Sequence, residues 1–263
     1  MNGTNITAER ILEFAGRLLT AFAFFTRIPL PAIWMAPAGR APDLASAVPV
    51  FPIAGALIGA FGAVVYWLFH GWLPPTVAAG IAVAALMLIT GGLHEDGLTD
   101  CADAFGATRD RTKALEIMRD SRIGVFGAAA LIVSILLRWT ALASLSAGAG
   151  ALALIVAHAG GRAAIAIGPG LTAYARSEGT GSLVAGGINR RSLLLTLAIA
   201  GIVAILFGGW AGLIAAAIGV LAGALMLAYA QSRIGGYTGD VLGAVEQVCE
   251  IAILCVLAGY WGG

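Results

Sequence analysis

Long apolar runs, separated by short polar segments, dominate this chain. The runs fall at about 51–72, 75–93, 123–145, 151–168, 192–209, 210–230 and 245–262. Each is close to the roughly 20 residues that a helix needs to cross the apolar core of a bilayer. The pattern predicts an all-α, multi-spanning helical integral membrane protein with about seven transmembrane helices and a single membrane domain, 1–263. The nearly continuous 192–230 stretch is divided at Gly208–Gly209–Trp210.

Upstream of these runs, residues 7–26 place apolar side chains at helical spacing and charged side chains between them. This periodicity predicts an amphipathic helix that lies along the membrane surface. The Pro/Ala-rich segment that follows, up to Pro49, is expected to have no regular structure because proline removes a backbone donor. Charged residues precede any apolar run, so we expect no cleavable signal peptide.

The basic residues outside the apolar runs fall on one side of the predicted topology. If the segment 94–122 is cytoplasmic, alternation of seven spans also places the N-terminal region and the loops 169–191 and 231–244 in the cytoplasm. That side then holds Arg10, Arg17, Arg27, Arg40, Arg109, Arg111, Lys113, Arg119, Arg122, Arg176, Arg190, Arg191 and Arg233. The distribution follows the positive-inside rule and supports this orientation. A formal net charge of +1 without a basic tract gives no reason to expect nucleic acid as a partner.

Charge is concentrated between Gly91 and Gly127. Of the 14 acids in the chain, seven lie there, together with five of the 15 bases. Asp96, Asp100 and Asp103 follow one another at i, i+4 and i+7, which places them on one face of a helix. Such carboxylates repel one another unless a cation lies between them, and Mg²⁺ prefers oxygen ligands of this kind. A solvated helix face beside a span is the alternative.

Two further segments have the composition of phosphate-binding sites. Arg119, Ser121 and Arg122 precede a span, where free backbone N–H groups also favour anions; anchoring by positive charge is the alternative for each arginine. Arg176 precedes a glycine-rich loop with Gly179 and Gly181, whose flexible backbone can cradle phosphate, although many interhelical loops look similar.

The last span contains acids that need partners in an apolar setting. Glu246 and Glu250 lie one turn apart, and Arg138 or Arg162, each within a span of its own, can pair with them. His158 and Arg162 either line a polar crevice or simply pair with such acids. Asp240, at the start of the span, is expected to join the 96–103 cluster, because both lie at span boundaries on the same side. The alternative is that Thr238–Gly239–Asp240 caps the final helix.

Several strings resemble the cobalamin synthase (adenosylcobinamide-GDP ribazoletransferase) family. They are RIPLP, FPIAGALIG, GGLHEDGLTDCADAFG, EIMRDSRIGVFG and GGYTGDVLGAVEQVCE, and the resemblance runs from about Phe25 to Glu250. It implies a bacterial or archaeal membrane enzyme that uses Mg²⁺. In this reaction the 5′-hydroxyl of α-ribazole, or of its 5′-phosphate, attacks adenosylcobinamide-GDP to give cobalamin and GMP. One departure from the family's pattern is Glu95, where an apolar residue often stands.

The resemblance and the residue chemistry together assign expected roles. Asp96, Asp100 and Asp103 would hold Mg²⁺, while Arg119 and Arg122 would stabilise the phosphates and the departing GMP. Asp120 or Asp240 would orient or deprotonate the ribazole hydroxyl. The expected partners are small-molecule substrates and the lipid bilayer, a homo-oligomer is left open, and the expected location is the bacterial inner membrane with the active site facing the cytoplasm.

Two other functions fit parts of the sequence. A CDP-alcohol phosphotransferase-like lipid head-group transferase also uses spaced aspartates at a membrane boundary, but its Asp-Gly-x-x-Ala-Arg signature is missing here. A cation transporter would explain acids in and beside the spans. It would not require a dense segment of mixed charge on one side of the membrane.

Overall fold

The computed structural model describes residues 3–35, 44–176 and 188–262, and this part of the chain is helical without named strands. The helices are α1 (Gly3–Phe25), α2 (Ala32–Met35), α3 (Leu44–Ala47), α4 (Phe51–His70), α5 (Pro75–Thr90), α6 (Leu93–Ala107), α7 (Arg111–Ile117), α8 (Val125–Ala143), α9 (Ala147–Ile165), α10 (Ile167–Leu171), α11 (Arg190–Ile234) and α12 (Gly239–Trp261). The all-α prediction is confirmed.

Five helical segments are long and apolar enough to cross a membrane. They are Leu44–His70, Val125–Ala143, Ala147–Leu171, Arg190–Ile234 and Gly239–Trp261. A sixth arises if α5 and α6, which are bent by 90° at their junction, count as one broken span. These segments confirm a multi-spanning membrane protein. The count of seven is not confirmed and stays a prediction.

The 45-residue helix α11 contains a break at Gly209, where φ is 57° and ψ is −147°. A positive φ is readily adopted only by glycine. Beyond the break, Gly212 packs against the carbonyl oxygen of Ala204. In a straight helix, residues eight positions apart are separated by about 12 Å and would not be in contact. The chain therefore folds back at the point where the sequence analysis placed a division between two spans.

The segment before α4 differs from our expectation. We expected no regular structure up to Pro49, but α2, α3 and a 3₁₀ turn at Val48–Val50 lie there. Proline breaks a helix interior but is accepted in the first turn, where its missing N–H has no partner to lose. Pro49 and Pro52 occupy such positions at the starts of the 3₁₀ turn and α4. The segment 94–122, which connects two of the predicted spans, contains α6 and α7, so the helix predicted for Asp96, Asp100 and Asp103 is confirmed.

Helix α9 forms the centre of the bundle and is covered by α4, α11 and α12. Its close approach to α4 depends on glycine. Gly55 lies against the carbonyl of His158, and a side chain at Gly59 would have its Cβ 2.8 Å from the Cα of Ile155. Small residues at such contacts allow helix backbones to approach one another within a membrane.

The polar connections gather at one end of the bundle. The Arg111 guanidinium donates to the carbonyl of Ile234 at 2.7 Å and to that of Ala175 at 3.3 Å. Arg233 donates to the carbonyl of Phe105 at 3.0 Å. These bonds join the segments after α6, α10 and α11, as the alternation of spans predicted. Which side of the membrane they face stays a prediction.

Candidate functional site

The turn between α5 and α6 positions the acidic segment. Gly91 and Gly92 both have positive φ, 67° and 69°, and together they redirect the chain by 90°. The side chain of Arg27 fills the space where a Cβ at Gly91 would lie. The apolar run ends at Thr90, and α6, which carries four acids among its 15 residues, lies beyond it.

An open cleft of about 720 Å³ lies along the exposed face of α6. Asp96 and Asp100 line it from α6, while Ser121 and Arg122 line it from the segment before α8. Arg27, which follows α1, and Glu95 also line it. Three acids and two guanidinium groups therefore border one space, which suits a ligand that carries both phosphate and a metal ion.

Unbalanced negative charge surrounds Asp100. Burial, together with the carboxylates of Asp96 and Asp240 and against the opposing effect of Arg176, raises the pKa of its carboxyl to about 7. A cation between these carboxylates would relieve the repulsion. Their oxygen atoms are the hard ligands that Mg²⁺ prefers, so the residues fit such an ion.

Asp103, the third acid of the series, makes different contacts. Its two carboxylate oxygens accept hydrogen bonds from the backbone N–H groups of Gly124, at 2.6 Å, and Gly127, at 2.8 Å. The residue is 9% exposed. It therefore neutralises the N-terminus of α8 and holds the segment with Ser121 and Arg122 against α6. Its assignment as a metal ligand stays a prediction.

The predicted phosphate-binding segment divides in two. Ser121 and Arg122 line the cleft, whereas Arg119 and Asp120 do not appear among its lining residues. Asp120 accepts three bonds from the guanidinium of Arg122, at 3.0, 3.0 and 2.5 Å. These side-chain bonds, with a backbone bond from Arg122, lower the pKa of Asp120 to about 2. A carboxyl group of such low pKa accepts protons poorly, which makes Asp120 the weaker of the two proposed bases.

Asp240 lies beside the acids of α6, although some 140 residues separate them along the chain. Gly97 leaves no room for a side chain, because an added Cβ would lie 2.6 Å from the backbone oxygen of Asp240. Asp96 and Asp240 also line a common second cavity. The cap of α12 is Thr238, whose hydroxyl accepts from the N–H of Val241 at 3.2 Å. The expected proximity is thus observed, and a role in the reaction stays a prediction.

Arg176 pairs with Asp240 at 3.0 Å. The backbone N–H of Ala175 donates to the carbonyl of Tyr237 at 2.8 Å, and the N–H of Tyr237 donates to the carbonyl of Ala173 at 3.0 Å. These two bonds hold the segment that ends at Arg176 beside the start of α12. Gly179 and Gly181, predicted to bind phosphate, lie outside the described residues.

Comparison with known proteins shows the family of this chain. The model of the family described as cobalamin-5-phosphate synthase matches residues 17–258. The chain belongs to this family. Curated relatives named adenosylcobinamide-GDP ribazoletransferase include those of Ralstonia nicotianae, 41% identical over 94% of this chain and 96% of the relative, and Mesorhizobium japonicum, 42% identical over 89% of each. That of Bradyrhizobium diazoefficiens is 41% identical over 97% and 98%. No solved structure matches.

Beneath its cleft, this cobalamin-5-phosphate synthase family member contains a buried ionic network. Glu250 accepts from Arg162 at 3.0 Å and interacts with Arg138 at 3.5 Å. Arg162 also donates to Glu246, and Arg138 donates to Glu95 at 2.8 Å. The sequence alone leaves open whether the arginines pair with the acids, and the structure shows that they do. Glu95, where this chain departs from the family's pattern, is engaged in this network.

Part of this network resembles a metal site in composition. His158, Glu246 and Glu250 bring their ligand atoms within 4.8 Å of one another. However, Nη1 of Arg162 also lies 2.7 Å from Nδ1 of His158 and contacts both carboxylates. The guanidinium group therefore supplies the positive charge that this cluster needs.

Sequence reasoning missed the place of Arg27 in the cleft. We treated it as a base that marks the cytoplasmic side, although it belongs to the RIPLP string of the family resemblance. Its backbone N–H donates to the carbonyl of Ile89 at 2.7 Å, which attaches the end of α1 to the end of α5. This long-range contact helps to place Arg27 at the cleft.

Proposed function

We propose that this protein transfers the adenosylcobinamide phosphate group from adenosylcobinamide-GDP to the 5′-hydroxyl of α-ribazole or of α-ribazole 5′-phosphate. The products are adenosylcobalamin or its 5′-phosphate, and GMP. Membership of the family and the names of the curated relatives support this reaction. The observation that carries it in this chain is the cleft in which Asp96 and Asp100 face Arg27 and Arg122.

The donor's diphosphate would lie in this cleft. Arg27 lines the cleft from the end of α1, and Arg122 lines it from the segment before α8. Their guanidinium groups can bind non-bridging phosphate oxygens. Phosphoryl-group transfer depends mainly on positioning and on neutralising charge, and two guanidinium groups supply positive charge here. As the ribazole oxygen attacks the phosphorus that carries cobinamide, the bond to the GMP phosphate breaks, and Arg122 stabilises the charge left on GMP.

The acceptor's hydroxyl would approach from the side of Asp240. This carboxylate lies beside Asp96 and is held by Arg176 and by the hydroxyl of Thr238, which donates at 3.3 Å. It can accept a hydrogen bond from the 5′-hydroxyl, orient its oxygen towards phosphorus and take up the proton as the new ester forms. We favour Asp240 over Asp120 for this role because Asp240 lines a cavity with Asp96, whereas Asp120 does not line the cleft and its pKa is lowered to about 2.

We also propose that Asp96 and Asp100 hold Mg²⁺, with Asp103 at the edge of the site. A bound Mg²⁺ would neutralise diphosphate charge. Binding can be measured without turnover by the electron paramagnetic resonance signal of Mn²⁺, which should be bound by the unaltered protein and lost in an Asp96→Asn/Asp100→Asn double variant. Equal Mn²⁺ binding by the double variant would place the metal elsewhere.

The basic residues support an orientation in which the cleft faces the cytoplasm of a bacterium and the protein lies in its inner membrane.

The alternative function of a cation transporter finds less support. The acids within the spans, Glu246 and Glu250, are paired with Arg162, so they offer no vacant site for a transported cation.

The decisive experiment is to mix the purified protein in detergent with adenosylcobinamide-GDP, α-ribazole and Mg²⁺. We expect release of GMP in equal amount to a product with the mass of adenosylcobalamin. Ion flux in liposomes without GMP release would favour a transporter instead.

A further inference from the structure

Two carboxylates attach α6 to α8. In the first turn of α6, Oε1 of Glu95 accepts a hydrogen bond from Nη1 of Arg138 at 2.8 Å. About two turns later, Asp103 accepts from the backbone N–H groups of Gly124 and Gly127. Helix α6 is therefore held to the same neighbouring helix at two separate points.

Helical spacing relates these attachments to the acids of the cleft. Glu95, Thr99 and Asp103 lie at i, i+4 and i+8, so they form one row along α6, and all three are buried. Asp96 and Asp100 each follow a member of this row by one residue, which is a rotation of about 100° around the helix. The row that is attached to α8 therefore sets the direction in which Asp96 and Asp100 point.

The chain that enters α6 leaves this direction open. Gly91 and Gly92, which both have positive φ, connect α5 to α6 at an angle of 90°. Glycine accepts a wide range of backbone conformations, so such a turn restricts the rotation of the following helix only weakly. Glu95 is the first residue of the buried row after this turn, and it fixes the end of α6 that the glycines leave free.

The charges of the buried network do not require Glu95. With its histidines neutral, the guanidinium groups of Arg138 and Arg162 are already balanced by Glu246 and Glu250. Glu95 adds a third carboxylate, which is 5% exposed, and its Oε2 atom has no hydrogen-bond partner among the described residues. A further buried charge contributes little to stability and is typical of a residue kept for function.

From these contacts we propose that Glu95 is a positioning residue. Through Arg138 it fixes the rotation of α6 and so directs Asp96 and Asp100 into the cleft. Glu95 borders the cleft, but its burial and its bond to Arg138 keep its carboxylate from a ligand there. The kinetic consequences rest on the proposed function, whereas the orientation of α6 can be measured without turnover.

The native cysteines report the orientation of α6. Cys101 on α6 and Cys249 on α12 are buried, and Cys255 is exposed. In a Cys255→Ser background, alkylation of the other two thiols by N-ethylmaleimide can be followed by peptide mass spectrometry. Glu95→Leu should remove the protection of Cys101, because a rotated α6 carries it out of its buried position, while Cys249 stays protected. A general loss of stability would expose both thiols.

Kinetics then connect the orientation of α6 with the reaction. Glu95→Leu should lower kcat for GMP release and weaken Mn²⁺ binding, each roughly 10–100-fold, as for residues that orient metal ligands. Ser134→Ala is the matched control. Ser134 lies one turn before Arg138 on α8 and donates to Gln247 of α12 at 3.0 Å, so its loss should change neither value.

Two milder variants separate geometry from charge and do not depend on whether Glu95→Leu folds. Glu95→Gln keeps the length of the side chain and an acceptor oxygen for Arg138, so kcat and Mn²⁺ binding should stay within about threefold. Glu95→Asp keeps the charge but is one methylene shorter, so it should expose Cys101 and lower kcat about tenfold. A metal ligand would show the opposite order, with Glu95→Gln the more damaged of the two.

Several outcomes would overturn the proposal. If Glu95→Leu leaves Cys101 protected or kcat unchanged, packing against α12 is enough to orient the acids. Equal exposure of Cys101 and Cys249 in Glu95→Asp would make Glu95 a stabilising residue only. If the unaltered protein releases no GMP, the proposed function fails, whereas the alkylation pattern still decides whether Glu95 orients α6.

Discussion

Replacing Asp103 with asparagine separates a structural role from a metal-binding role. The carboxylate accepts from Gly124 at 2.6 Å and from Gly127 at 2.8 Å, at the N-terminus of α8. Asparagine keeps one acceptor oxygen, but its NH₂ group would face the other N–H. The variant therefore loses one charge-assisted bond and the attraction between an anion and the positive end of the helix dipole.

The expected loss of stability follows from these contacts. A hydrogen bond to a charged group contributes about 1.5–3 kcal/mol, and a favourably placed charge at a helix terminus contributes about 0.3–1 kcal/mol. The neutral bond that remains offsets part of this, so we expect a net loss of about 2 kcal/mol. For a chain of this size, that change lowers Tm by roughly 4–8 °C.

The assay combines thermal unfolding in detergent with GMP release at a series of Mg²⁺ concentrations. Asp103→Asn should lower Tm and kcat, because Ser121 and Arg122 lose their support, while the Mg²⁺ concentration for half-maximal activity changes less than twofold. Asp96→Asn is the control: the exposed side chain of Asp96 lines the cleft, so Tm should hold and the Mg²⁺ requirement should rise about tenfold. If Asp103→Asn instead leaves Tm unchanged and raises the Mg²⁺ requirement, the reasoning is wrong and Asp103 is a ligand.

Three further predictions address the rest of the site and its support. Asp240→Asn should abolish GMP release with little change in Tm, whereas Thr238→Ala, which removes the cap of α12, should cost about 1 kcal/mol of stability; the reverse pattern would show that Asp240 is structural. Arg162→Met leaves buried carboxylates without their cation and should destabilise the protein by about 3–5 kcal/mol, measured by thermal unfolding in detergent; an unchanged Tm would contradict this. Gly55→Ala should lower the yield of folded protein in size-exclusion chromatography, because its Cβ would overlap the backbone of His158. Gly148→Ala, with nothing within 4 Å of the added atom, is the control, and equal yields would refute the argument.

The sequence by itself determined the features that depend on neighbouring residues. Hydropathy over about 20 residues identified the membrane helices, because a span must satisfy its own backbone and present apolar side chains to lipid. The spacing of Asp96 and Asp100 placed both on one helix face, and both line the cleft. The break at Gly209 was also marked locally, by two glycines in an otherwise continuous apolar run.

Only the tertiary structure decided which polar groups meet. Asp103 follows the same helical spacing as Asp96 and Asp100, yet its partners are backbone N–H groups 21 and 24 residues further along the chain. Arg138 reaches Glu250 across 112 residues, and Arg162 reaches Glu246 across 84. Periodicity shows which face of a helix a side chain occupies but not which helix covers that face. In this membrane protein, the packing of α6, α8, α9 and α12 therefore decides which charged residues form the cleft and which stabilise the interior.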